Sequence, residues 1–180
     1  DEGTGGDTGT GGDTGGGDTG GGDDPIVYPL GSSSTADLIG YFAYGVLPQL
    51  YGTAGDDVGL RGGDLAEEIS GLAGIDSINA SGGSDIVDGG AGNDIILGGL
   101  GDDLLIGGDG NDKMKGNEGH DIIYGGAGDD QIYAELGNNI INGGAGHDRL
   151  YAGGSDGSLF LFDADTLGFT DKLFDFAFAK

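Results

Sequence analysis

Acidic side chains recur every nine residues through the middle of the chain. From Gly62 to Tyr151, ten nine-residue units follow one another without an insertion, and position six is Asp in eight of them. The eight are Asp76, Asp85, Asp94, Asp103, Asp112, Asp121, Asp130 and Asp148. Glu67 and Asn139 take position six in the other two units, and a fainter preceding unit places Asp57 there. Carboxylates in such a series can bind a hard cation such as calcium, which takes about six to eight oxygen ligands.

The rest of each unit predicts the elements that position these carboxylates. Position eight is apolar in all ten units, so positions seven to nine are expected to form a short strand with position eight facing inward. Positions one to six are expected to form a turn, in which Gly at positions one, two and four tolerates positive φ and lets backbone carbonyls converge. Strand and turn alternate, which places two units in each coil and stacks units n and n+2 on one edge.

The pattern GGxGxDxUx, with U apolar, resembles the nonapeptide repeat of the RTX (repeats-in-toxin) calcium-binding family. The resemblance covers about half of the chain and implies an all-β, right-handed parallel β-roll, or β-solenoid. It also implies calcium between stacked turns, held by position-six side chains and glycine carbonyls. The expected metal ligands are the eight aspartates with Asp57 and Asn139. The expected backbone ligands are the carbonyls of Gly71, Gly74, Gly83, Gly90, Gly92, Gly99, Gly101, Gly108, Gly110, Gly119, Gly126, Gly128, Gly137, Gly144 and Gly146.

The pairing of units predicts the number of ions. One edge stacks five of the aspartates (Asp76, Asp94, Asp112, Asp130 and Asp148), and the other stacks three (Asp85, Asp103 and Asp121). Between neighbours these make about six sites, and we expect at most about nine if the less regular ends also bind. Asp56, Asp102, Asp129, His120 and His147 at position five are interpreted as solvated turn residues, with direct ligation as the alternative.

The flanking segments differ in composition from the repeats. Residues 1–24 contain only Gly, Asp, Thr and one Glu, which predicts a disordered linker, with calcium binding by its Asp residues as the alternative. Residues 25–51 predict an N-terminal cap with a short helix at 35–47 that Pro48 ends; a membrane or partner helix is the alternative. Residues 52–157 are the predicted roll.

Alternating Phe residues in 158–180 predict a C-terminal β cap that closes the open end of the roll. This segment is similar to the one that follows the roll in serralysin-type proteases and mannuronan epimerase R-modules. In type I secreted proteins the export signal lies at the C-terminus, so the same residues are a possible secretion-signal region.

Composition excludes several classes of function. The chain carries 32 acidic and 6 basic residues, a formal net charge of −26, which argues against binding nucleic acid or anionic lipid. The absence of Cys excludes disulfides and thiolate metal sites. No HExxH motif occurs, and we predict no catalytic residue and no enzyme activity within these 180 residues.

The predicted function is a calcium-binding module that folds when it meets calcium outside the cell, as part of a larger type I secreted bacterial protein. The alternatives are a structural, adhesive or S-layer-type surface module and a C-terminal accessory module of a secreted hydrolase or epimerase. Position seven of alternate units forms an outward apolar stripe (Ile86, Leu104, Ile122 and Ile140). It predicts a contact surface for a flanking segment of this chain, for a second copy or for another protein, with plain exposure to solvent as the alternative.

Overall fold

The computed structural model describes residues 47–154, 157–162 and 171–174. Within these ranges the chain forms β-strands and contains no helix. The helix predicted at 35–47 falls outside them except for Leu47. None of the described residues belongs to a helix long and apolar enough to cross a membrane.

Fourteen strands follow one another along the described residues. They are β1 (Gln49–Tyr51), β2 (Val58–Arg61), β3 (Glu68–Ser70), β4 (Ser77–Gly82), β5 (Ile86–Ala91), β6 (Ile95–Leu100), β7 (Leu104–Asp109), β8 (Lys113–Glu118), β9 (Ile122–Ala127), β10 (Gln131–Leu136), β11 (Ile140–Ala145), β12 (Arg149–Tyr151), β13 (Leu159–Leu161) and β14 (Lys172–Phe174).

The strands form two parallel sheets of seven strands each. Odd-numbered strands make one, the odd sheet, and even-numbered strands make the other, the even sheet. Each strand pairs with the strands two places before and after it, so that Ile132 of β10 lies beside Met114 of β8 and Leu150 of β12. The chain is therefore an all-β parallel β-solenoid with two nine-residue units in each coil, which confirms this part of the predicted fold class.

The core lies between the two sheets and is built almost entirely from position eight. Ile69, Ile78, Val87, Ile96, Leu105, Met114, Ile123, Ile132, Ile141 and Leu150 are all buried. Leu50 and Phe160 pack against the two ends of this row. Phe160 pairs with Ile141, 19 residues earlier, so the final unit holds one residue more than the regular repeat and still delivers an apolar side chain to the core.

Most strands are longer than the three residues predicted. In the regular coils a strand runs from position seven to position three of the next unit, which leaves only positions four to six as the turn. The paired register omits position one: Asp88 lies beside Ile106 and Gly90 beside Gly108, and Gly89 between them is unpaired in the ladder. Because every regular coil has the same length, positions two and three can pair with their equivalents beyond the bend.

Glycine serves two different purposes in the turn. Positions two and four adopt positive φ, for example 112° at Gly108 and 137° at Gly110. Leu72, Ser81, Asn117 and Glu135 take position two with φ between 67° and 79°, a left-handed conformation that is costly for a residue with a Cβ. Position one does not adopt positive φ, contrary to the prediction. The absence of a Cβ there has a spatial purpose instead.

Candidate metal centre

Position-six side chains form two continuous hydrogen-bond ladders along the edges of the roll. Edge 1 holds the turns that lead from odd to even strands, including those of Asp94 and Asp112, and edge 2 holds the turns that lead back. On both edges the Oδ1 of each aspartate accepts the backbone N–H of the position-six residue two units earlier. The bond from Asp94 to Asp112 is 2.8 Å and that from Asp103 to Asp121 is 3.0 Å. This bond fixes the orientation of every carboxylate in the series.

The second oxygen of each carboxylate has no partner. Oδ2 is buried and accepts no hydrogen bond in Asp76, Asp85, Asp94, Asp103, Asp112, Asp121, Asp130 and Asp148. A buried polar atom without a partner normally costs free energy, and more when it belongs to a charged group. Eight repetitions of the same unsatisfied atom therefore indicate a ligand that these oxygens bind.

Each unpartnered oxygen faces a small space beside the glycine at position one. A Cβ built on Gly89 would lie 2.6 Å from Asp94 Oδ2 and 2.6 Å from the carbonyl oxygen of Gly107 in the next turn of the same edge. The same arrangement recurs along both edges, so glycine keeps a carboxylate and a carbonyl oxygen open to one space. Ala80 and Ala134 replace glycine at position one in two units and narrow that space there.

Backbone carbonyls supply the remaining oxygens. A Cβ on Gly108 at position two would overlap the carbonyl oxygen of Gly90, and one on Gly110 at position four would overlap that of Gly92. The carbonyl oxygens of one turn thus closely approach the backbone of the turn 18 residues later. No group of three or more His, Cys, Asp or Glu side chains with metal-binding geometry occurs in the part of the chain that the structure describes. A cation here would take one or two carboxylates and several carbonyls, a donor set that fits calcium.

Three matches to the family model for the RTX calcium-binding nonapeptide repeat cover residues 61–96, 97–132 and 124–159. They span more than half of the 180 residues. The chain belongs to the RTX calcium-binding repeat family. No curated protein gives a significant match to this sequence. RTX repeats bind calcium, and the parallel β-roll described here fits a calcium-binding module.

Position six departs from the regular RTX arrangement at three places. Asp57 Oδ2 accepts the N–H of Thr53, and Glu67 Oε2 accepts the N–H of Gly63, so the carboxylates of the two earliest units already have partners. Asn139 Oδ1 accepts the N–H of Asp121 at 2.7 Å, which leaves its NH₂ group where an aspartate would offer a second oxygen. These three residues keep their places in the ladders but offer calcium less than aspartate does.

Burial and mutual repulsion both disfavour charged aspartates in the roll. Burial, together with the charges of neighbouring aspartates, raises the pKa of Asp103 and of Asp130 to about 7. Burial, together with the charge of Asp94, raises the pKa of Asp112 to about 6. Among the described residues, every Lys and Arg lies in a strand of the even sheet and none lies in a turn. The carboxylates therefore have no fixed basic partner.

Position five forms a second pair of ladders, although we predicted only solvated residues there. The side chain of Asn93 accepts the N–H of Asn111, and Asp129 accepts that of His147. On edge 2 the Nδ1 atom of His120 accepts the N–H of Asn138 at 2.9 Å. These side chains are exposed. Each accepts a hydrogen bond from the turn 18 residues later in the chain, whereas a position-six side chain accepts one from the turn 18 residues earlier. They hold successive RTX turns together from outside.

The structure adds two residues that sequence reasoning missed. Ser158 Oγ accepts the N–H of Asn139 on edge 2, and Asp171 Oδ1 accepts that of Asp148 on edge 1. Each takes the position-six place beyond the last regular unit of its edge. A faint signal exists for Asp171, because the run Asp171 to Phe174 has Asp followed two residues later by an apolar residue, as in the repeat.

Proposed function

We propose that the position-six aspartates of this RTX module are its calcium ligands, and that about six ions fill the intervals between successive aspartates. The eight buried Oδ2 atoms without a partner carry this proposal. Four intervals lie on edge 1 between Asp76 and Asp148, and two lie on edge 2 between Asp85 and Asp121. Asp57 and Asn139 would bound weaker sites, because one already accepts a hydrogen bond and the other lacks a charge.

Calcium fits these intervals better than the other common divalent ions. The donors are oxygens only, and stacked turns bring them from different directions with no regular octahedron imposed. Magnesium requires tighter octahedral geometry at about 2.0–2.1 Å and gives up its water reluctantly. Zinc and copper favour imidazole and thiolate ligands, and the chain has no Cys.

Calcium binding would also act as the folding switch. The chain carries a net charge of −26, and stacking the coils brings buried carboxylates close to one another. Repulsion of this kind opposes the compact state until cations neutralise it. An ion at ten times its dissociation constant adds about 1.4 kcal/mol to folding, so six add roughly 8 kcal/mol. That is comparable to the whole stability of an ordinary domain.

The biological setting that suits such a switch is export. Scarce calcium inside a bacterium would keep the chain unfolded and able to thread through a type I secretion channel, and millimolar calcium outside would fold it. We propose accordingly that residues 52–157 form the roll, wound right-handed, of a larger secreted or cell-surface polypeptide. In this view 1–24 is a linker, 25–51 an N-terminal cap, and 158–180 a C-terminal cap.

Circular dichroism and ion counting test the proposal together. Far-UV spectra should show little β-structure in EGTA, and a β-rich spectrum should follow in millimolar calcium, with millimolar magnesium as the control ion. Equilibrium dialysis followed by atomic emission should find about six tightly bound calcium ions. A chain that is β-rich in EGTA and unchanged by calcium would contradict the folding switch. Absence of bound calcium would contradict the site.

A structural or adhesive role is the second candidate, and the outer face of the odd sheet favours it. Ile86, Leu104, Ile122 and Ile140 lie in register across β5, β7, β9 and β11, and Ile86 and Ile122 are each 37% exposed. Contiguous apolar rows on a protein surface commonly mark contact surfaces. Replacing Leu104 and Ile122 together by Lys should change sedimentation or lower the melting temperature in calcium. If neither quantity changes, the row is simply solvated.

A further inference from the structure

Asp171 continues the edge 1 ladder beyond the repeats. Arg149 of β12 pairs with Lys172 of β14, so the residues that precede them, Asp148 and Asp171, occupy equivalent places in successive coils. Asp171 Oδ1 accepts the N–H of Asp148 at 3.3 Å, the same bond that joins the regular units. The separation is 23 residues instead of 18, and Asp171 lies outside the residues matched by the RTX family model.

The carboxylate below Asp171 has the same unsatisfied oxygen as the interior sites. Asp148 is 1% exposed, and its Oδ2 accepts no hydrogen bond. Its Oδ2 also lies where a Cβ on Gly143 would be, as in the interior intervals.

Edge 2 ends differently. There the position-six place passes from Asp121 to Asn139 and then to Ser158, whose hydroxyl oxygen accepts the N–H of Asn139 at 3.3 Å. The last two ladder positions on that edge carry no charge. A neutral hydrogen-bond acceptor is therefore enough to continue a ladder. The carboxylate of Asp171 adds a negative charge and a second oxygen to that acceptor.

We propose that Asp148 and Asp171 bind one further calcium ion, which fastens the segment carrying β14 to the last repeat. This inference rests on the proposed function of the interior aspartates and adds a site beyond the repeats. Backbone carbonyls of the turn at Asp148 complete the ligand set. Asp148 then lies between two ions, as Asp112 does, so the two residues should be equally sensitive to substitution.

The aromatic side chains of the even sheet supply a local reporter for this site. Tyr133, Tyr151 and Phe174 stack in a row with ring centroids 4.5 Å apart and interplanar angles of 6° and 11°. Phe174 joins the stack only because β14 is paired with β12. Occupancy of the Asp148–Asp171 site should therefore appear as a near-UV circular dichroism change from the Tyr151–Phe174 pair.

The test compares four forms of the full chain: wild type, Asp171→Ala, Asp171→Asn and Asp109→Asn. Asp109 is an exposed aspartate outside the ladders, so Asp109→Asn matches the loss of one charge. We expect Asp171→Ala to bind one calcium ion fewer than wild type and to lose the near-UV signal. Asp171→Asn keeps the hydrogen-bond acceptor, and its near-UV transition should need at least about tenfold more calcium, since ligand charge sets calcium affinity.

Two results would overturn the proposal. Asp171→Ala with the ion count of wild type would show that no ion binds there. Asp171→Asn with wild-type calcium dependence would show that Asp171 serves only as a hydrogen-bond acceptor. Phe174→Leu separates the stack from the site, because it should remove the near-UV signal without changing the ion count. If wild type binds calcium and both Asp171 variants match it, the interior sites stand and only this inference fails. If wild type binds no calcium, both this inference and the proposed function are refuted.

Discussion

Substitution of Asp112 by Asn separates the two roles of a position-six side chain. Asn keeps an oxygen that can accept the N–H of Asp94, as Asn139 does for Asp121, and replaces the unpartnered Oδ2 by an NH₂ group. Asp112→Ala removes both the acceptor of the Asp94 N–H and the unpartnered Oδ2. The two variants therefore measure the calcium ligand and the ladder bond separately at one place in the middle of edge 1.

The magnitudes follow from the structure. At ten times its dissociation constant an ion contributes about 1.4 kcal/mol, and Asp112 lies between two proposed ions, so Asp112→Asn should lower the free energy of unfolding in calcium by about 1.4–3 kcal/mol. The N–H of Asp94 is in a buried residue, and a buried donor left without an acceptor costs a further 1–3 kcal/mol or so. The expected order of stability is wild type, then Asp112→Asn, then Asp112→Ala.

Urea unfolding followed by far-UV circular dichroism, at a fixed calcium concentration tenfold above the wild-type midpoint, measures these differences. Asp109→Asn is the control for the lost charge and should unfold like wild type. If Asp112→Asn also unfolds like wild type and binds as many ions, Oδ2 is not a ligand. If the Asn and Ala variants are equally destabilised, the ladder bond adds nothing.

Three further predictions concern protons and glycine. The pKa of Asp103 and Asp130 is about 7 in the folded chain against an ordinary 3.8, so folding without calcium favours the protonated carboxyl groups. The calcium-free fold therefore loses stability as the pH rises from 3.8 to about 7. Far-UV spectra in metal-free buffer should accordingly gain β-signal between pH 7 and pH 5, and an unchanged spectrum would contradict this. Gly92→Ala should cost at least about 1–2 kcal/mol in calcium, because φ is 142° and the Cβ overlaps a backbone carbonyl; a calcium-loaded urea midpoint equal to wild type would count against the stacking of turns. Leu72→Gly should stabilise by roughly 0.5 kcal/mol, since it relieves a φ of 76° at a half-exposed side chain and costs some unfolded-state entropy; a lower melting temperature would show that Leu72 makes contacts worth more than the strain.

Local chemistry repeated at a constant interval is why so much could be predicted from the sequence. The nine-residue spacing of Asp94, Asp103 and Asp112 predicts both the two-unit coil and the pairing of n with n+2, because strand and turn lengths are then the same in every coil. The apolar residue at position eight defines the core for the same reason. The coil and the core both follow from short-range geometry, and the repeat shows the same geometry in every unit.

Only the tertiary structure decided what each oxygen does. Asp57 and Asp94 occupy the same place in the pattern, yet Asp57 Oδ2 accepts a hydrogen bond from Thr53 and Asp94 Oδ2 has no partner. The ladders formed by position five depend on the stacking of turns 18 residues apart, and no single unit shows them. Asp171 reaches its place through an irregular turn, so no fixed spacing predicts it. The sequence alone determines the repeating coil because its residues interact with their own unit; which carboxylates remain unsatisfied depends on contacts between coils, and these exist only once the roll has formed.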